Sequence, residues 1–162
     1  MPKVQKTPDF LQRLAVVEEQ LAELRRSGWE RDELPFFATS LRGLVYEDKT
    51  AFTALWETIF TPRSATLALG LVLIGDQAGS PVANTGGDWQ VTLNDTDVVA
   101  SGTVPATFSF VFPALSLDLT PYRALTQVKC QIQVRRTAGA TTGGKYGNGG
   151  AIGGAPRYAR LL

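Results

Sequence analysis

The chain has 162 residues, a formal net charge of +1 and 19% charged residues, with 16 Gly, 9 Pro, one Cys and no His. Such a balance supplies no basic field for nucleic acid, and a lone Cys130 excludes an intrachain disulfide framework. Without His there is no Ser-His-Asp or Cys-His nucleophile, and the usual zinc and non-haem iron ligand sets are gone.

Residues 1–9 are polar with two prolines and read as a short arm. They hold no apolar core of a secretory signal, so synthesis in the cytoplasm without a signal peptide is expected. From Phe10 the apolar residues Phe10, Leu14, Val17, Leu21 and Leu24 recur at alternating spacings of four and three. That is a coiled-coil seam over 10–27, with Leu14 and Leu21 at a and Phe10, Val17 and Leu24 at d. Arg13 at g and Glu18 at the following e meet across a parallel interface. Leu at a with the β-branched Val17 at d shifts preference from dimers, so a homotrimer is expected and those five residues form its interface. The competing reading is one amphipathic helix lying on its own domain, since Leu11 and Val16 widen the apolar stripe. Residues 28–35, polar and running from Gly28 to Pro35, form a linker that sets the helix apart.

From 36 to 162 the pattern is β. Phe36 to Tyr46 is mixed, and reads as a first strand or an irregular lead-in. Phe52 to Phe60 fits a helix face or a strand face, and its β-branched and aromatic content favours strand. Thr66 to Ile74 puts Leu67, Leu69, Leu71 and Leu73 on one face and Ala68, Gly70, Val72 and Ile74 on the other. A strand apolar on both sides is expected to be covered twice, by a second sheet or by a neighbouring subunit. Gly75 to Asp88 reads as loop. Trp89, Val91 and Leu93 alternate with Gln90, Thr92 and Asn94, and Asn94 to Asp97 is a turn returning through Val98 to Val104. Phe108, Phe110 and Phe112 read as an inward row, followed by Leu115, Leu117 and Leu119. Val128, Cys130, Ile132 and Val134 alternate with Lys129, Gln131, Gln133 and Arg135, a half-buried strand. Residues 139–154 are Gly-rich, and Tyr158 to Leu162 is a closing strand. Seven or eight short strands with turns between them predict a mainly β domain, an antiparallel β-sandwich of which a jelly roll is one form. The longest apolar run, Leu67 to Gly75, is too short to span a bilayer.

Little chemistry is announced. Cys130 lies on the inward row, as an inert buried thiol does. Gly139 to Tyr146 approaches the phosphate-binding G-x4-G-K-[ST] loop, but Tyr146 replaces the metal-binding hydroxyl and the following glycines cannot start the required helix. Asp95-Thr96-Asp97 begins a calcium loop yet lacks its Gly and closing Glu. Asp76, Asp88, Asp95, Asp97 and Glu57 could converge for two-carboxylate glycosidase chemistry, although acids in loops are ordinarily turn formers. No enzyme activity, metal or cofactor is expected. Tyr122 and Tyr146 are the candidates for stacking on a sugar ring, because a flat apolar ring covers the C–H face of a pyranose.

A short N-terminal coiled coil, a Gly-containing joint and a β-sandwich resemble bacteriophage minor tail, tail-fibre and baseplate-associated proteins. The run FTALWETIFTPRSATLALGLVL and the ending PRYARLL are similar in style to minor tail proteins of phages that infect actinobacteria. The resemblance implies a virion component, often trimeric, that attaches by one end to other tail or capsid proteins. It also implies a β-rich domain presented to neighbours or to host-surface glycans. A carbohydrate-binding module or adhesin acting alone is the alternative, and a capsid decoration or neck protein a third.

Overall fold

The computed structural model describes residues 44–162, together with Glu18, Leu34 and the backbone of Phe37 and Ala38. The predicted coiled coil of 10–27, with its interface residues, lies outside the described residues except for Glu18. Strands follow in the order β1 (Phe37–Ala38), β2 (Val45–Glu47), β3 (Thr53–Phe60), β4 (Thr66–Gly75), β5 (Gln77–Ala78), β6 (Ala83–Asn84), β7 (Gly86–Leu93), β8 (Asp97–Val104), β9 (Ala114–Asp118), β10 (Val128–Ala138) and β11 (Ile152–Leu161). They belong to one unit, Glu33–Leu162.

Two antiparallel sheets carry the fold. The first orders its strands β1-β3-β10-β7-β8 and the second β2-β11-β4-β9, while β5 and β6 make a small hairpin of their own. The chain crosses from one sheet to the other at each step from β1 to β4 and again at each step from β8 to β11, whereas β7 and β8 are paired neighbours in one sheet. The facing rows are those that the alternation singled out. Leu67, Leu69, Leu71 and Leu73 of β4 meet Val91, Leu93, Val128, Cys130, Ile132 and Val134 in one buried cluster. The indole of Trp56 on β3 ties the sheets together by donating to the Gly154 carbonyl of β11 at 2.8 Å. This is a mainly β, antiparallel fold with the build of a β-sandwich, as the short alternating strands predict.

Three expectations need correction. Gly75 to Asp88 is not plain loop, because it holds the β5–β6 hairpin and the start of β7. The closing strand begins at Ile152 rather than Tyr158, and so runs through two glycines and a proline. Phe108, Phe110 and Phe112 are not an inward row: they are 51, 52 and 58% exposed. The reason is register. Val111 exchanges hydrogen bonds with Leu73 at 2.9 and 3.0 Å, and Leu73 points into the core. Its neighbours Phe110 and Phe112 therefore fall on the opposite side.

The outer faces of the two sheets differ. On the five-stranded sheet, Gln90 donates to Gln133 at 2.7 Å, Gln133 to Gln131 at 2.8 Å, and Gln131 to Glu57 at 3.1 Å. Arg135 pairs with Asp88 at 2.8 Å beside this row. The four-stranded sheet is apolar and aromatic outside, and is described next.

Candidate interaction face

The outer side of β4 is Ala68, Gly70, Val72 and Ile74. Tyr158 of β11 stands opposite Gly70, and its ring lies where a Gly70 side chain would be: a Cβ there would come within 2.3 Å of Tyr158 Cε1. Tyr46 of β2 covers Gly153 in the same way, at 2.5 Å from the would-be Cβ. In each case an aromatic ring from the adjacent strand replaces the side chain that glycine lacks. Gly70 and Gly153's partner Ile74 are four residues apart on β4, so the two ring positions are about 13 Å apart along the sheet.

Along the β9 edge the segment between Pro105 and Pro113 completes this face. It contains no charged residue. The Phe110 and Phe112 rings stack at 6.0 Å between centroids. The guanidinium of Arg157, the residue at the β11 bulge, lies 5.3 Å from the Phe112 ring centroid, and that of Arg160 lies 6.0 Å from Tyr158. Phe108 holds φ +52°, a left-handed conformation that is an outlier for a bulky side chain. Flanking it, the hydroxyls of Thr107 and Ser109 are hydrogen-bonded at 2.7 Å. Backbone in such a sparsely populated region persists only where the surrounding structure holds it.

On the opposite edge β2 pairs only with Ile152–Gly154, so β11 runs on beyond it. There a cavity of 380 Å³ is lined by Leu34, Trp56, Pro156, Tyr158 and Ala159, with Arg157 and Arg160 also on its wall. The Leu34 amide, donating to the Ala159 carbonyl at 3.3 Å, closes one side.

The Gly-rich segment is an ordered loop. Gly149 N–H donates to Gly143 at 2.9 Å, Gly150 N–H to Ala140 at 3.0 Å, and the Arg136 guanidinium also donates to the Ala140 carbonyl. Its base is fixed by Asp76, whose carboxylate accepts from the Ala151 amide at 2.7 Å and the Thr85 hydroxyl at 3.0 Å. This loop carries Lys145 between two rings, 5.3 Å from Tyr46 and 5.4 Å from Tyr146. Burial, then the carboxylate of Asp76 and the Tyr146 phenol, push the Tyr46 phenol above its usual range. Two residues on, Asn148 lines a hollow of 370 Å³ with Asp48 and Arg136. Asp48 is buried and its Oδ2 has no hydrogen-bond donor.

The sugar-stacking candidates fall in different places. Tyr146 is 48% exposed on the Gly-rich loop. Tyr122 ends a short 3-10 turn, packs against the core and donates its hydroxyl to Asp97 at 3.2 Å; burial and that bond raise its pKa. The acids considered for glycosidase chemistry each have a partner: Asp76 as above, Asp88 with Arg135, Asp95 with Lys129, Asp97 with Tyr122 and Glu57 with Gln131. Sequence reasoning missed the outward Phe cluster, Trp56 at the cavity and Lys145 between its rings. The two prolines bracketing a charge-free run were the available signal for the first.

Cys130 is fully buried, and burial pushes its thiol from an ordinary 9.0 up to about 12. A thiol-disulfide reagent at pH 8 should leave the native protein unmodified and react once it is unfolded. The folded chain keeps this proton at pH values where the unfolded chain loses it. Stability should therefore fall by about 1.4 kcal/mol per pH unit from pH 9.0 towards 12 on this account. Urea titrations at pH 8 and 10 check the sign.

No family model matches the chain, and no curated protein matches it. Among the described residues no helix is long and apolar enough to cross a membrane, and no group of three or more Cys, Asp or Glu is placed to hold a metal ion.

Proposed function

We propose that this protein is a structural component of a bacteriophage virion, a minor tail or tail-tip protein. It trimerises through a coiled coil over 10–27 and uses its sandwich to hold neighbouring subunits. The supporting observation is the outer face of the four-stranded sheet, where Phe108, Phe110, Phe112 and Tyr158 stand in solvent. Contiguous exposed aromatics of this kind mark surfaces that other proteins cover. Phenylalanine, which has no polar handle, suits a protein partner better than a sugar. The resemblance in layout to phage tail proteins supplies the setting.

Light scattering of the full chain at micromolar concentration should give the mass of three chains, and Leu14→Asp with Leu21→Asp should lower it. A mass of one or two chains for the unaltered protein overturns the trimer. Antibody labelling that fails to find the protein on purified particles overturns the virion role.

A second reading, glycan binding, has its own observation: Tyr146 stands exposed beside Lys145, next to the hollow holding Asp48, Arg136 and Asn148. Retention on host-surface glycan that is lost with Tyr146→Ala would favour it.

A further inference from the structure

We infer that the hollow lined by Asp48, Arg136 and Asn148 is a binding site for one neutral saccharide ring, with the Asp48 carboxylate as its anchor. This rests on the glycan reading and deepens it, by naming the anchoring residue and the charge that the sugar must carry. Three segments build the hollow: residues 48–51 between β2 and β3, Arg136 of β10, and Asn148 of the Gly-rich loop. Hydrogen bonds within the chain fix each of them. The Glu47 carboxylate accepts from the Asp48 and Lys49 amides at 3.1 and 3.3 Å. The Arg136 amide donates to the Lys49 carbonyl at 2.8 Å, and its guanidinium to the Ala140 carbonyl. Asn148 is bridged to Gly143 across its own loop.

Asp48 is the unusual member. It is 8% exposed, yet no hydrogen bond or ion pair reaches its carboxylate from any described residue. Oδ2 is shut in, which leaves Oδ1 to the hollow. A buried carboxylate is costly until a donor is supplied. Arg136 lines the same hollow but does not pair with it; the ion pairs among the described residues are Lys49–Glu47, Lys129–Asp95 and Arg135–Asp88. Acceptor and donor are thus held apart, a gap that a ligand bridges.

Charge narrows the ligand. Arg136 on the wall opposes a cation, and among the described residues no three acids gather to hold a metal. Asp48 opposes an anion. A neutral group that both donates and accepts suits the two together, and a hydroxyl does so from one atom. Adjacent hydroxyls of a sugar repeat that group at fixed spacing, and the Asn148 carboxamide, itself donor and acceptor, is the third partner. The volume of 370 Å³ lies at the low end of the roughly 300–1,000 Å³ of small-molecule sites, room for one ring rather than a chain. Two residues before Asn148, Tyr146 is 48% exposed and offers an aromatic face to the C–H side of a sugar.

The test is saturation-transfer NMR of the full chain with glucose, galactose, mannose and N-acetylglucosamine, each supplied alone, and with glucosamine and glucuronate as charged counterparts. At least one neutral sugar should bind saturably, and neither charged sugar should bind more tightly. Asp48→Asn should weaken that binding about tenfold or more, the loss that follows from one hydrogen bond to a charged group. It should leave the urea midpoint unchanged or raised, because the charge it removes has no partner in the protein. Binding of none of the neutral sugars overturns the inference, as does equal binding by Asp48→Asn or tighter binding of a charged sugar. Asn148→Ala, on the exposed loop, is a second variant that leaves the buried position untouched. It should weaken binding of the same sugar severalfold, and unchanged binding there also overturns the inference. Retention on host-surface glycan that is lost with Tyr146→Ala but kept by Asp48→Asn leaves the glycan reading standing and sinks this site. No retention of the unaltered protein, together with no sugar bound, removes both.

Discussion

Gly75→Ala should unfold or nearly unfold the sandwich, while Gly147→Ala should be tolerated. A Cβ on Gly75 would sit 1.8 Å from the Thr85 carbonyl oxygen. That oxygen belongs to a fully buried residue whose own amide is held by the Asp76 carbonyl at 2.8 Å. Backbone on both sides leaves nothing to swing away, so the strand end or the base of the Gly-rich loop must separate. Overpacking costs ~1–3 kcal/mol where side chains can adjust, and here they cannot, so a loss above ~3 kcal/mol is expected. Against a total of roughly 5–15 kcal/mol for a domain, that is a large part of the margin. At Gly147 a Cβ meets nothing within 4 Å and only the φ of +83° is unfavourable, at about 1–2 kcal/mol. Urea midpoints decide it, and equal losses at the two positions would refute the close approach at Gly75.

The two faces of β4 should respond unequally to truncation. Leu71→Ala removes a side chain with no exposure and should cost ~2–5 kcal/mol. Val72→Ala, on the outer side and half-buried, should cost less than ~1 kcal/mol in dilute protein. The comparison also reports on assembly. If the Val72→Ala penalty grows with protein concentration while that of Leu71→Ala does not, the outer face is covered by a neighbour. Equal penalties at every concentration would contradict the assignment of one face to the core and the other to solvent.

The alternation in β4 and β10 was legible because each strand is long, and its apolar row is unbroken by Gly or Pro on the inner side. The same rule misled at Phe108 to Phe112. Period two says that alternate residues share a face, but it does not say which face is covered. With Thr107, Ser109 and Val111 as alternates, the larger Phe side chains looked like the core set. A single partly buried Val111, packed on the core and held in register by Leu73, decides the parity. That pairing spans 38 positions and leaves no local trace. The first half of β11 is hidden in the sequence for a different reason. Gly153, Gly154 and Pro156 read as strand breakers, yet Tyr46 covers Gly153, Leu73 and Leu55 fill the space at Gly154, and Pro156 lies past β2, where β11 has a free edge. Of the two tyrosines chosen for exposure, Tyr146 stands out on its loop. Tyr122 is drawn inward by packing that no spacing encodes. The predicted coiled-coil seam, over residues 10–27, lies outside the described residues apart from Glu18.

The row of amides on the five-stranded sheet has a direction. Each carboxamide gives its NH₂ to the next, from Gln90 through Gln133 and Gln131, and the row ends on Glu57. A carboxylate only accepts, so it fixes the sense of every amide behind it, and their dipoles add instead of cancelling. One glutamate thus polarises a whole sheet face. With Glu57→Gln that reference is lost: the terminal group can donate as readily as accept, and the row becomes free to run either way. A face with one fixed pattern of donors and acceptors would become a mixture of two mirror patterns. The donor and acceptor pattern of that face would then be scrambled with no change in the shape of the core, and with one negative charge removed.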